Sequence, residues 1–155
     1  MALLNIEKPV YYRKPVTNVG ILNAATAGAL GADTNGVAVY TAGTYGSRIE
    51  SLVFNTDDTA AVNVFVYILN SATVKPLGIV NVPLSSGNTA TAPTVDALSG
   101  SGQALLGALI DPNGKRYISL MPSDILKVSV LATMTAAKKC HATAMGFDLT
   151  ADPTT

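Results

Sequence analysis

The sequence predicts an all-β protein: an antiparallel β-sandwich or jelly roll of about seven to eight strands with an extended N-terminal arm. Three observations predict it. Short runs of Val, Ile, Phe and Tyr alternate at period two, turn-forming Asp, Asn, Gly and Pro recur between them, and no helical period of apolar residues persists anywhere. A single open sheet would leave one apolar face in water, so two layers are required.

Residues 1–46 are rich in Ala, Gly, Thr and Asn, with prolines at Pro9 and Pro15. Gly in a helix interior costs about 1 kcal/mol relative to Ala, so helix is disfavoured and short extended pieces are expected at 16–25 and 37–42. This region reads as an extended arm with peripheral strands, followed by a sandwich body over 47–150 and a tail at 151–155. The body opens with two apolar runs, 48–55 and 61–69, separated by Thr56-Asp57-Asp58-Thr59, which reads as a hairpin with a loop of roughly four residues. Val62, Val64, Val66 and Ile68 share one face of the second run and suit a core; Asn63, Phe65, Tyr67 and Leu69 form a mixed face.

A further strand at 74–82 contains Pro76, which cannot donate to a ladder and so marks an edge or a strand end. The Ser-, Gly- and Thr-rich stretch 83–102 is a long loop, of the kind that is functional, packed on something else, or mobile. Residues 103–110 read as a strand or a single helical turn, and Asp111-Pro112-Asn113-Gly114 as a turn. Residues 117–120 form a strand, Pro122-Ser123-Asp124 turns the chain, and 125–132 with 139–149 read as a terminal hairpin.

Composition excludes several function classes. Ten basic residues balance ten acidic ones, so no overall field draws nucleic acid or an anionic membrane, and no stretch approaches the roughly 20 apolar residues of a span. The N-terminus has no basic start followed by a long apolar run, so no targeting segment is expected. With a chain of 155 residues a core suffices without staples, and the lone Cys140 and single His141 rule out an internal disulfide and a zinc cluster. Cys140 and His141, adjacent on a strand, point to opposite faces and cannot act as nucleophile and base, so Cys140 reads as a small buried residue. Asp57 and Asp58 lack a third carboxylate nearby and read as turn residues. Gly43 to Gly46 and Gly100-Ser101-Gly102 open no helix and so cannot cradle a phosphate. No catalytic residue, metal or cofactor is expected.

The one local concentration of aromatic and basic residues is Lys8-Pro9-Val10-Tyr11-Tyr12-Arg13-Lys14-Pro15. Tyr and Arg are enriched at interface hot spots and prolines lower the entropy lost on ordering, so Tyr11, Tyr12, Arg13 and Lys14 are the candidate partner-binding residues. Three cations in a neutral chain would release few counterions from nucleic acid. Sparse surface charge also leaves the body prone to self-association, with a closed trimer favoured.

The order Gly46-Ser47-Arg48-Ile49-Glu50-Ser51-Leu52, Ala61-Val62-Asn63-Val64-Phe65-Val66-Tyr67, Pro122-Ser123-Asp124-Ile125-Leu126-Lys127-Val128-Ser129-Val130 and His141-Ala142-Thr143-Ala144-Met145-Gly146-Phe147-Asp148-Leu149 resembles small β-sandwich virion proteins of tailed bacteriophages, the capsid decoration or cement proteins and tail-associated structural proteins. Where proteins of this look carry Gly-Asp before the strand at Ile125, this chain has Ser123-Asp124. The resemblance implies a non-enzymatic subunit on the capsid surface, made in the host cytoplasm. Its partners would be the major capsid protein or other virion subunits. The alternative is a receptor- or carbohydrate-binding module of a phage tail or other surface assembly. Against it stands the lack of Trp and of an aromatic cluster to stack on sugars.

Overall fold

The computed structural model describes residues 12–99, 105 and 107–150, with Tyr12 described by its backbone alone. The fold is all-β, two antiparallel sheets facing one another. Strands β1 (Tyr12–Leu22), β2 (Val37–Thr41), β3 (Ser47–Thr56), β4 (Val62–Asn70) and β5 (Thr73–Val82) are followed by two short pieces, β6 (Val95–Asp96) and β7 (Leu109–Ile110). Then come β8 (Arg116–Leu120), β9 (Ile125–Val130) and β10 (Cys140–Thr150). The six-stranded sheet runs β1-β10-β3-β8-β7, with β6 also on β3; the four-stranded sheet runs β2-β9-β4-β5.

Among the eight strands of five residues or more, the first pairs the last (β1 with β10), the second pairs the seventh (β2 with β9), the third pairs the sixth (β3 with β8), and the fourth pairs the fifth (β4 with β5). That is a long hairpin of strands rolled over itself, the order of a jelly roll. Inside, one aliphatic core gathers Ile49, Leu52 and Phe54 from one sheet and Val64, Val66, Leu126 and Val128 from the other, all within 0 to 1 % exposure. Each of these strands turns alternate residues inward, as a pleat of period two requires, except for the three-residue step from Ile49 to Leu52 on β3.

Two pairings differ from the sequence expectation. The runs 48–55 and 61–69 are strands but not a hairpin, because β3 and β4 lie in opposite sheets and the connection between them arches across the core. Asp58 holds the arch closed. It is 1 % exposed and its carboxylate accepts from the Thr135 amide at 3.0 Å, the Thr135 hydroxyl at 2.6 Å and the Ala60 amide at 3.2 Å. Strands β9 and β10, expected as a terminal hairpin, likewise belong to different sheets, and Thr135 sits in the arch that joins them. One carboxylate therefore ties two sheet-to-sheet crossings together. The hairpin that does form next to β4 is with β5, across a two-residue turn at Ser71 and Ala72, and β5 with Pro76 is an edge strand as its proline predicts.

The mixed face of β4 is also covered. Phe65 and Tyr67 point away from the core, stack with ring centroids 4.9 Å apart, and are fully buried. The connection 23–36 between β1 and β2 runs over this side as a strap, beginning with a short 3-10 turn (Ala24–Thr26) capped reciprocally by Asn23 and Thr26. Gly28 donates its N–H to the Val130 carbonyl at 2.8 Å. Asp33 then accepts from the Tyr67 hydroxyl at 2.6 Å and pairs with Lys127 at 2.5 Å. Gly36 lies so close that an added Cβ would fall 1.7 Å from the Tyr67 hydroxyl oxygen, so only glycine lets the strap settle.

Two turns read from sequence take the expected form. Asp111 caps the β7–β8 turn through the amides of Asn113 and Lys115, both at 2.9 Å. Ser123 has φ of 69°, left-handed backbone that glycine adopts more readily than serine. The loop 83–102 is in part structural: β6 adds to β3, and Ala97 and Leu98 are buried in the core. In the stretch 103–110, only Leu109 and Ile110 form a strand among the described residues.

Burial alone would raise the Asp58 pKa, but the Thr135 hydroxyl and amide and the amides of Ala60 and Thr59 outweigh it and hold the carboxyl below the usual carboxylate range. A lowered folded pKa gives stability that is complete above the unfolded carboxylate value and is lost as pH falls through the folded value. Asp58→Asn is expected to lower the unfolding free energy by about 1–3 kcal/mol at neutral pH. In urea titrations the gap between wild type and variant should close once the pH is below the carboxylate range; a gap independent of pH would contradict the charged-acceptor role.

Candidate functional site

The outer face of the six-stranded sheet carries a row of side chains drawn from four strands. Arg13 on β1 lies with its guanidinium carbon 4.5 Å from the centre of the Phe147 ring on β10, and Arg48 on β3 lies 4.0 Å from the Tyr117 ring on β8. Phe147 and Arg48 stand directly opposite one another in the β10–β3 register. The result is a ladder of cation, ring, cation, ring. Ser119 and Leu149 complete a shallow groove of about 350 Å3 along it.

Local sequence explains the ladder. Ser47 and Ile49 turn inward, so Arg48 between them faces out; Ile118 turns inward, so its neighbour Tyr117 faces out. The register of β3 against β10 shifts at Met145 and Gly146, leaving Glu50 as the extra residue of a bulge on β3. A Cβ at Gly146 would fall 2.1 Å from the Arg48 carbonyl oxygen, so the bulge needs glycine there. Glu50 comes to 3.2 Å from Arg48 Nε and 3.6 Å from Lys115 Nζ. The Nε contact is close but too bent for a hydrogen bond, leaving that buried N–H without a geometric acceptor, so we read the pair as a charge contact. Arg48 also donates from a terminal nitrogen to Asp111 at 3.3 Å.

The electrostatics of the two arginines differ. Arg48 is offset by two carboxylates, and the Asp111 carboxyl is held below its usual range chiefly by the Lys115 amide, with the Asn113 amide and Arg48 adding to it. Arg13 is exposed and has no carboxylate within salt-bridge distance among the described residues. Beside it, the same face of β1 and β10 continues as an apolar strip of Val19, Ile21 and Met145, each more than a third exposed. Strand β1 is the outer edge of its sheet, with one row of backbone groups unpaired by any described strand.

The residues singled out from sequence are placed as follows. Arg13 joins the ladder. Lys14 is exposed on the same strand, opposite Asp148 in register. Tyr12 is the first residue of β1, paired with Thr150, and Tyr11 lies outside the described residues. From Tyr12 onward the chain is an edge strand of its own body. Arg48, Tyr117 and Phe147 were not singled out; period-two patterning marks each as outward-facing, but only strand pairing across about 100 residues brings them to Arg13.

A second cavity of about 240 Å3 lies at the end of β3, lined by Asn55, Asp57, Gly87, Asn88, Lys139 and His141 among others. Its lining is mostly polar, with the His141 imidazole as the one ring among the described lining residues. Asp57 there accepts from the Lys139 amide at 2.7 Å and serves the turn. His141 faces out beside it, while Cys140 faces in and is fully buried. Burial, with the nearby Asp58 charge, pushes the Cys140 thiol up to about 12.

The chain matches no family model, no curated protein and no solved structure.

A thiol that is both buried and protonated has almost no thiolate to react. Cys140 is expected to resist a disulfide-exchange reagent at pH 8 in the native protein and to react at once in denaturant, so the native labelling rate reports unfolding. Rapid native labelling would show that the β10 end opens on its own.

Proposed function

We propose that the chain is a non-enzymatic structural subunit of a tailed-phage particle, decorating or cementing the capsid by binding across major capsid subunits. The observation that carries this reading is the outward ladder of Arg13, Phe147, Arg48 and Tyr117 beside the open edge of a jelly roll. Jelly rolls build viral capsid domains among other proteins, and a fold alone does not assign function. The ladder adds what the fold lacks. Arg and Tyr are the side chains most often found as interface anchors, and here they are already ordered by stacking, which lowers the entropy lost on binding.

Self-association into a closed trimer belongs to the same proposal. Edge strands β7 and β5 expose Leu109 at 50 %, Ile110 at 58 % and Ile79 at 46 %, and symmetric contacts are the usual way to cover such residues. The alternative of receptor or carbohydrate binding has the polar cavity beside His141 in its favour; no Phe, Tyr or Trp lines that cavity for a sugar to stack on.

Two measurements test the proposal. In lysates of infected cells the protein should sediment with intact particles, and Arg13→Ala or Val19→Asp should lower its occupancy on particles that lack it while leaving its thermal unfolding within a few degrees of wild type. Light scattering over a dilution series should show a trimer that dissociates on dilution; a monodisperse monomer at high concentration would remove the trimer. Sedimentation wholly apart from particles would remove the virion assignment.

A further inference from the structure

We infer that the ladder is a docking site for an extended protein segment that brings one carboxylate to Arg13 and apolar side chains to the strip along β1. The inference rests on the proposed attachment and names what the attached partner must present. Three observations carry it.

First, charge is unequal along the ladder. Glu50 and Asp111 already occupy Arg48, whereas Arg13 offers a planar guanidinium with no carboxylate near it among the described residues. The guanidinium lies over the Phe147 ring, which restricts its position, and its N–H groups have no acceptor among the described residues. A fixed fork of donors matches the two oxygens of a carboxylate better than a point charge would.

Second, the surface next to Arg13 is apolar and linear. Val19 and Ile21 alternate outward on β1, six and eight residues beyond Arg13, and Met145 stands across from Thr17 on β10. At about 3.3 Å per residue, Arg13 and Val19 are roughly 20 Å apart, the reach of an extended segment and more than a single small anion covers.

Third, the edge of β1 away from β10 is paired by no described strand, and although Pro15 has no N–H and the Val19 N–H is taken by Asn18 Oδ1 at 3.0 Å, its remaining backbone groups run in the same direction. Its sheet partner β10 occupies one side only, so a segment laid along the other side would add as a further strand. Carboxylate, apolar side chains and backbone would then engage one continuous stretch. The small change in side-chain order needed at Arg13 makes this a low-cost contact.

The test uses the intact protein in solution and short peptides carrying one glutamate and, on the same face, two valines, in both chain directions, each with a glutamine twin. The probe resonances are the Arg13 side-chain N–H, the Phe147 ring and the Val19 methyl groups. The expected result is saturable shifts at all three with the glutamate peptide in one direction, binding at least about fivefold tighter than the glutamine twin, and weakening with added salt. Arg13→Gln should abolish the preference for glutamate while leaving the Arg48 and Tyr117 signals in place. Equal binding of the twins, shifts confined to other faces, or displacement of the peptide by an equal concentration of inorganic phosphate would overturn the inference. Loss of particle attachment with peptide binding intact would instead count against the virion assignment alone, and attachment without peptide binding would count against this inference alone.

Discussion

Every aspartate between residues 12 and 150 accepts a hydrogen bond, and the fold depends on where those seven carboxylates point. The aliphatic core supplies most of the driving force, but it is uniform: Val, Leu and Ile from any strand would fill it about as well. A jelly roll needs each strand delivered to the correct sheet, and the carboxylates stand where that choice is made. Asp58 joins the two arches, and Asp96 takes the Ser51 hydroxyl at 3.0 Å and the Leu98 amide at 3.0 Å, fixing the 83–102 loop to β3. At the other end, Asp148 on β10 accepts from Tyr40 on β2 and from Ser47 on β3, each at 2.5 Å, joining both sheets at a single carboxylate. Burial and this carboxylate together push the Tyr40 hydroxyl up to about 12. Asp124 does similar service between Asn70 and the Met121 amide. A chain with so little charge has placed much of its acidic share where an unmet N–H or O–H would otherwise be buried, a loss of about 1–3 kcal/mol each.

The strap adds a third layer over half of the molecule. Without it, Phe65 and Tyr67 would leave an aromatic patch on the outside of the four-stranded sheet, and the Tyr67 hydroxyl would have no acceptor. With Asp33, Lys127 and Gly36 in place, that face is closed and the opposite sheet keeps the outward aromatic ladder. The two outer faces therefore differ in kind: one is sealed by the strap, the other carries cations laid over rings, with Arg13 exposed and Phe147 covered to 8 % exposure.

What the sequence made legible was local. The alternation of Val62, Val64, Val66 and Ile68, the proline on an edge strand, the Asp111 and Ser123 turns and the all-β class are all properties of a few neighbouring residues, and all appear in the structure. Partner choice was not legible. Thr56-Asp57-Asp58-Thr59 has the composition of a hairpin turn and also of an arch between sheets; the difference is whether Asp58 meets Thr135, 77 residues further on. Phe65 and Tyr67 on a face otherwise marked by Asn63 were a readable sign that something covers β4, since two large rings seldom stand side by side in water. The candidate site was half visible. Arg13 stood out through its aromatic and basic neighbours, while Phe147, Arg48 and Tyr117 each looked like an ordinary outward residue until three strand pairings set them in one row.

Stability accounts for only part of that row. An exposed cation on a ring contributes about 0.5–1 kcal/mol, and an exposed ion pair such as Lys115 with Glu50 contributes less than about 1 kcal/mol. The buried aliphatic residues below the sheet contribute about 1.5–3 kcal/mol each, and Phe147, at 8 % exposure, belongs on the same scale, so the cations are the members of the row whose replacement costs the fold least. Yet the ladder has demanding local requirements: a bulge that places Glu50 beside Arg48, and a glycine at 146 with no room for a methyl group. The proposed attachment would draw on this geometry, since the two cations return little in folding energy. The asymmetry between the arginines would give such contacts a direction, since Arg48 is paired with two carboxylates and Arg13, over Phe147, meets none among the described residues.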